Sequence, residues 1–592
     1  MKKYLSIMLC MLAFSAFGQQ QTNERARWFV DSRYGMFIHW GLYSAAEGYW
    51  KGEKIRNDND YSEWILYRNQ IGKDEYLTLL DRFDWDEIDP EEWVLLAKRS
   101  GMKYITLTAK HHDGFALWDS KVSDYNLSRY TKRDIVGELA AACRKHGIRM
   151  GLYYSHWVDW EHPYGWNHER EINPLAPADY DRYWQEKVIP QIRELLTNYG
   201  EISMLWFDMW LHHSNTIVTR EQLLQLKSLI RELQPNCLVN SRLGLSVEED
   251  PDVDFKTLGD NQLGSQKEDF PWQSPGTVAH SWGYHSSETA WKSTTILLKS
   301  LIGNVSLNGN FMLNIGPRAN GDVPYEIEQR LLEIGEWLNI NGEAIYGAEA
   351  FDLDKNLHDW GKITAKRDGN TTRLYLHVYN WSLNKHLPLT GITSAPSKVY
   401  LLADKQRQPL TFTHEGPFTD ILLPAMQPDK YVSVVVAEYD GTPEIVQNLA
   451  AISTEGGYSL TYENSVGDKT LKAERKGRGG TVPVHIDVKT TQRLKWKIYV
   501  DRAGEKTIDV SYTYQGTATG GMISCLAPTK LTHNIAPTGK TVGEPNSNWV
   551  VDRYLSHRIG TVNFPAAGIY ELEFEIAPPK DSTVGFQWIW VK

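Results

Sequence analysis

The stretch "PEEWVLLAKRSGMKYITLTAKHHDGF" (Pro90–Phe115) holds a helix, a stop and a strand in one run. Trp93, Leu96 and Ala97 recur at helical spacing, and Gly101 supplies the stop. "YITLTA" (Tyr104–Ala109) is an apolar and β-branched run of the kind a strand buried on both faces takes, and the polar His111, His112 and Asp113 follow at once. The pattern returns in "IVGELAAACRKHGIRMGLYYSHW" (Ile135–Trp157), with Gly147 as the stop. It returns again in "YWQEKVIPQIRELLTNYGEISMLWFDMW" (Tyr183–Trp210), with Gly200, and in "EQLLQLKSLIRELQPNCLVNSR" (Glu221–Arg242), with Pro235 and Asn236. Strands alternating with helices predict a parallel sheet covered on both faces. Adding "YGMFIHWG" (Tyr34–Gly41) and "GNFMLNIGP" (Gly309–Pro317) makes at least six strands. A closed (β/α)8-like TIM barrel fits best. An open doubly wound sheet is second, because no glycine-rich nucleotide loop follows the first strand.

Polar residues crowd where each apolar run ends. His39 follows "MFI", and Tyr154, Ser155 and His156 follow "RMGL". Asp208 follows "MLWF", and Ser241 and Arg242 follow "CLVN". In a barrel these ends share the C-terminal face, where active sites are built. A carboxylate among large apolar residues is costly unless paired. Asp208 therefore reads as a strand-end acid kept ionised by Arg242 and the histidines. Adjacent histidines on a strand point to opposite faces, so His111 and His112 do not read as a shared metal site unless the strand has ended there.

The rest of the chain bounds the class. At 592 residues it is too long for one ordinary domain. After about residue 350, short alternating runs such as "TRLYLHVYNW" (Thr372–Trp381) and "YVSVVVAEY" (Tyr431–Tyr439) predict a β-sandwich over 349–445. A further β-rich stretch over 446–592 predicts a second sandwich, either glycan-binding or a brace. The net charge of −11, with no long basic run, argues against a nucleic-acid partner. Residues 1–18, with Lys2 and Lys3 before an apolar run and small Ala16 and Gly18, read as a signal peptide, hence an exported protein, periplasmic or extracellular. No later segment is apolar enough to cross a membrane. Beyond the signal, Cys143, Cys237 and Cys525 are too few and too scattered for a disulfide framework. The 23 tryptophans and 31 tyrosines suit sugar faces as well as cores. A carboxylate, histidines, an arginine and tryptophans in one pocket suggest glycoside hydrolysis, with one carboxyl group as nucleophile or base and another as acid.

The ordered set "GMFIHWGLYS", "SEW", "KHHDGFALWDS", "GLYYS", "LWFD", "NSR", "SWGY", "NGNFMLNIGP" and "NGEAIYG", from about Trp28 to Gly347, resembles the retaining α-L-fucosidases, glycoside hydrolase family 29. The resemblance implies a barrel over 19–348 followed by a β-sandwich, no cofactor and no metal, and a fucosylated glycan as substrate. It implies that Asp208 is the nucleophile and that His39, Glu63, Trp64, His111, His112, Tyr154, Trp206 and Arg242 line the fucose subsite. Trp282, in "SWGY", matches an aromatic near the C6 methyl. Many members carry Glu in a Trp-Glu pair shortly before "SWGY", whereas here the pair is Trp272-Gln273. The acid/base must then come from elsewhere in the loop 250–273. Asp260 is the first choice, because "GDN" lies beyond the apparent strand "VDFKTL", and Glu268 is the second; the loop also offers Asp254 and Asp269. A related sugar such as α-L-galactose, or a catalytically impaired carbohydrate-binding relative, are the alternative readings.

Overall fold

The computed structural model describes residues 22–592 except 57–59, 209–216, 352, 354–356, 468–469, 472–483 and 543–549. The signal-like segment thus lies outside the described residues. Eight strands build the first unit: β1 Tyr34–Ile38, β2 Tyr104–Lys110, β3 Arg149–Tyr154, β4 Met204–Phe207, β5 Leu238–Val239, β6 Lys256–Thr257, β7 Trp272–Thr277 and β8 Asn310–Ile315. They pair in the order β5-β4-β3-β2-β1-β8-β7-β6, every pair parallel. A parallel bridge from Asn240 to Phe255 joins β5 to β6. The strands therefore follow chain order around a (β/α)8 barrel.

Most of the outer-layer helices named here start where the sequence offers caps. They are α1 Pro90–Arg99, α2 Ile135–His146, α3 Ile189–Asn198, α4 Arg220–Leu233, α5 Thr294–Val305 and α6 Tyr325–Asn341. The side chains of Asp89, Asp134, Thr219 and Ser293 accept the first-turn N–H groups of α1, α2, α4 and α5. Gly147 ends α2 at φ 69°, a left-handed conformation in which a side chain is strained. Inside the ring, Phe37, Tyr104, Tyr153, Met204, Trp206, Leu238, Phe255 and Met312 pack into one cluster, so the barrel is filled rather than hollow.

The first unit ends at Ala350, and Phe351–Lys592 form a second compact unit with two cores. Gly361–Asp368, Thr371–Val378, Ser433–Asp440 and Lys398–Leu401 make one antiparallel sheet, and His386–Thr390, Phe418–Leu422 and Phe412–Glu415 another. The C-terminal core lies under two further sheets, centred on Gly504–Thr513 with Val584–Val591 and on Gln492–Val500 with Gly568–Ala577. Val446 N–H still bonds to Gly391, while Leu449 already bridges Lys497, so the chain changes sandwich within three residues. Cys143, Cys237 and Cys525 are buried free thiols.

Candidate active site

Strand parity decides which side chains reach the barrel mouth. Met204 and Trp206 point inward on β4, and a period of two carries Asp208 to the same side. His39 follows Phe37 in the same way at the end of β1. A cavity of about 340 Å³ opens there, lined by Phe37, His39, Tyr61, Glu63, Trp64, Arg68, His111, His112, Tyr153, Trp157, Val158, Trp166, His168, Trp206, Asp208, Arg242, Asp260 and Trp282.

Arg242 organises the acidic side of this cavity. Its Nη1 donates to Asp208 Oδ1 at 2.8 Å, and its Nη2 donates to Asp260 Oδ1 at 2.7 Å and to Leu258 O at 2.8 Å. The guanidinium lies 5.0 Å over the Trp206 ring. Tyr153 O–H donates to Asp208 Oδ2 at 3.2 Å. Burial alone would raise the Asp208 pKa, but the Arg242 charge and hydrogen bond outweigh it and hold the carboxyl below its ordinary range. Asp208 is therefore ionised at neutral pH. Burial would lower the Arg242 pKa, and Asp260 and Asp208 together raise it instead.

The histidines are neutral acceptors. Burial pushes His39 and His112 down to about 4 and His111 well below its usual value. Asn314 Nδ2 donates to Trp282 O at 2.7 Å, which turns its Oδ1 toward His39 Nδ1 at 2.6 Å. Ser155 gives its only proton to Val158 O, so it can only accept from His112 Nδ1, 2.7 Å away. Both rings therefore carry the proton on Nδ1 and leave Nε2 bare. His112 Nε2 lies 3.7 Å from Asp208 Oδ2, and since the ring is neutral this is a contact and not an ion pair. Such nitrogens suit sugar hydroxyl donors. His111 and His112 both line the cavity because β2 ends at Lys110, before the alternation would have separated them. Among the described residues no group of three His, Cys, Asp or Glu is placed to hold a metal.

Glu63 is buried beneath the cavity and accepts Gly283 N–H at 3.0 Å. Burial lifts its carboxyl to about 7 despite that bond. Trp64 packs 5.4 Å from His112, and Trp282 packs 5.1 Å from His39.

Two expectations need correction. Tyr154 does not line the cavity: it faces the helix layer, where its O–H donates to Gln191 Oε1 of α3 at 2.8 Å. Its neighbour Tyr153 takes the inward place, because a one-residue shift in a strand changes faces. Glu268 also lies off the cavity, 3.4 Å from Lys256 Nζ. Gln273 is no substitute for a catalytic acid. It is the second residue of β7, below the rim, and lies fully buried between Trp206 Nε1–H and Tyr104 O–H, each 2.9 Å away. Of the other loop acids, Asp254 is a structural group, bonded to Arg25 at 2.5 Å and to Arg231 at 2.7 Å. Tyr61, Arg68, Trp157, Val158, Trp166 and His168 line the cavity without having been singled out in the sequence. They come from excursions after β1 and β3 that carry no periodic pattern.

Comparison with known proteins settles the lineage. The α-L-fucosidase family model matches residues 15–343, more than half of the chain. The chain belongs to the α-L-fucosidase family, glycoside hydrolase family 29. It is a glycoside hydrolase by that membership. An α-L-fucosidase of Dictyostelium discoideum is 31% identical over 388 residues, which are 62% of this chain and 82% of that one. The crystal structure of an α-L-fucosidase from Vibrio sp. strain EJY3 has a TM-score of 0.74 at 27% identity, covering 97% of this chain and 99% of that one. A Bacteroides thetaiotaomicron family 29 α-L-fucosidase, solved as a trapped covalent intermediate with 2-fluoro-fucosyl fluoride, has a TM-score of 0.63 at 26% identity. It covers 71% of this chain and 97% of that one.

Proposed function

We propose that this fucosidase is an exported, exo-acting enzyme that removes terminal α-L-fucose from oligosaccharides or glycoconjugates by retaining double displacement. The observation that carries the reading is the single Arg242 guanidinium holding both Asp208 and Asp260 at the cavity. Two carboxylates on adjacent amino groups of one fork stand on the order of 5 Å apart, the spacing on which retention depends. Asp208 attacks the anomeric carbon as the bond to the leaving oxygen breaks, and Asp260, acting in its carboxylic acid form, gives that oxygen its proton and is left as carboxylate. Water then attacks the fucosyl ester, Asp260 takes the water proton, and Asp208 departs as carboxylate. His39 and His112 accept sugar hydroxyls, and Trp282 covers the C6 methyl. That packing disfavours L-galactose, whose extra hydroxyl would face the indole.

A second reading gives the proton to Glu63, favoured by its value of about 7, which keeps it partly protonated near neutral pH. Leaving-group dependence separates the two. Asp260→Ala should slow natural glycans far more than aryl fucosides, since protonation matters most for poor leaving groups. Azide should restore its second step and yield α-fucosyl azide, because attack on the β-linked ester of Asp208 inverts the anomeric centre a second time. If Glu63→Gln shows this behaviour and Asp260→Ala does not, Glu63 is the acid. Export rests on residues 1–18, and N-terminal sequencing of the secreted protein, expected to begin near Gln19, checks it.

A further inference from the structure

Most buried or half-buried cations of the barrel unit have a named partner. Arg242 holds two carboxylates, Arg231 and Arg25 share Asp254, and Arg33 is spread over backbone carbonyls. Arg68 differs. It lines the cavity that contains Asp208, yet among the described residues no carboxylate lies within ion-pair distance of it. Its Nε is sealed from solvent and makes no hydrogen bond. What it offers the cavity is therefore the Nη end of the fork. Its plane is steadied by the Trp64 ring, 4.9 Å beneath Cζ, and Trp64 is itself part of the cavity wall. The carboxyl that acts on it electrostatically is Glu63, which carries only part of a charge near neutral pH.

Arg68 also lines a second cavity of about 300 Å³. There Tyr67 and Trp160 stack at 5.3 Å and 25°, a flat aromatic wall, with Asn167 as a polar group beside it. Glu161 and Lys73 line it too, and Glu161 is paired with Lys187 at 2.8 Å and with Lys73. Glu169 lines it as well. With Glu161 compensated in this way, Arg68 is the lining cation without an ion-pair partner among the described residues. A half-buried guanidinium that opens on two cavities and has no ion-pair partner among the described residues is available to bind an anion.

Resting on the fucosidase reading above, we infer that Arg68 marks a leaving-group subsite for acidic glycans: the sugar next to fucose lies against Tyr67 and Trp160 and presents an anionic oxygen to Arg68. The anion is a sulfate ester or a carboxylate, the two common anionic groups of glycans.

The test uses sulfur-linked fucosyl disaccharides, which bind without being cleaved, on the full-length protein by calorimetry. Three ligands differ only in the second sugar: neutral, sulfated, or a uronate. For the wild type, at least one acidic ligand should bind about tenfold tighter than the neutral one, the size of a charge-assisted hydrogen bond. That ratio should shrink with added salt. Arg68→Met should bring it to about one, and Arg68→Lys, which keeps the charge but not the fork, should retain part of it. A gain for the sulfate alone or the uronate alone names the source. Equal binding of all three by the wild type, or a ratio that survives in Arg68→Met, overturns the inference. Hydrolysis of an aryl α-L-fucoside is read separately. Its absence would remove the fucosidase reading, while the charge ratio would still decide the role of Arg68.

Discussion

Asp208 is the residue on which the chemistry turns. With the nucleophile gone, Asp208→Ala should lose turnover of an aryl fucoside by three orders of magnitude or more, about the range for covalent catalysts. More than about a tenth of the wild-type rate would remove it from that role. Its neighbours carry a finer test. Tyr153→Phe deletes the hydroxyl bonded to Asp208 and should cut kcat/KM about tenfold, the worth of one hydrogen bond to a charged group. Tyr154→Phe deletes a bond to Gln191 in the wall and should leave kcat/KM near wild type. Equal losses in the two would put the parity of β3 in question. Glu63 supplies a pH signature. Its folded value of about 7 lies above its ordinary 4.5 because it is buried. Between those values the native state keeps a proton that the unfolded chain has shed. Stability from this group thus falls as pH rises from about 4.5 to 7 and stays lowered above 7. Glu63→Gln should gain thermal stability over wild type at pH 8 and little at pH 4.5. A gain independent of pH would refute the assignment.

At the scale of elements, the excursion after β3 forms one wall of the site. It carries Trp157, Val158, Trp166 and His168 to the cavity. Asp159 pins it: fully buried, it pairs with Lys110 at the end of β2 at 2.7 Å and with Lys187 at 2.8 Å. It also accepts the N–H groups of Glu161 and His162. Burial opposes its ionisation, but the two lysines prevail and depress its pKa. Asp159→Asn would leave two buried ammonium groups undercompensated, at a cost of about 3–5 kcal/mol. The expected result is a marked fall in thermal midpoint with a raised KM, both measurable on an aryl fucoside. Gly35 shows a different constraint. A Cβ there would stand 2.2 Å from the Tyr104 ring inside the barrel, so β1 and β2 approach as closely as they do only because that residue has no side chain.

For the whole molecule, the two sandwiches raise a question of dispensability. Within the second unit, Ser453 Oγ donates to Asp359 at 2.6 Å and Ile452 N–H donates to Thr390 Oγ1 at 3.2 Å. Phe418 of the first sandwich packs against the C-terminal core. A chain ending at residue 448 should keep aryl-fucoside turnover within a few-fold, because among the described residues none beyond Trp282 lines the catalytic cavity. It should unfold at a lower temperature, because Asp359, Thr390 and Phe418 lose their partners. Soluble but inactive truncated protein would show that the C-terminal sandwich serves the catalytic unit.

The barrel was legible in the sequence because its signal is local. Gly101 and Gly147 end helices, caps such as Asp89 begin them, and apolar runs between them must be buried on both faces. Asp208 was legible for the same reason: a lone acid after "MLWF" can stay charged only at a strand end that offers it a partner. Sequence order also set "NSR" apart, but only the closed ring brings Arg242 between Asp208 and Asp260. Three matters belonged to tertiary structure alone. In "LYY" either tyrosine could face inward, since strand parity depends on pairing with neighbours. Gln273 resembled a lost catalytic acid until its height on β7 placed it under Trp206. Arg68 lies on a short helical turn with nothing periodic about it, and it lacks an ion-pair partner because, among the described residues, the segments around it bring no carboxylate within that distance. A sequence states which groups are present; which of them lack a partner is decided by packing, because pairing depends on distance in space.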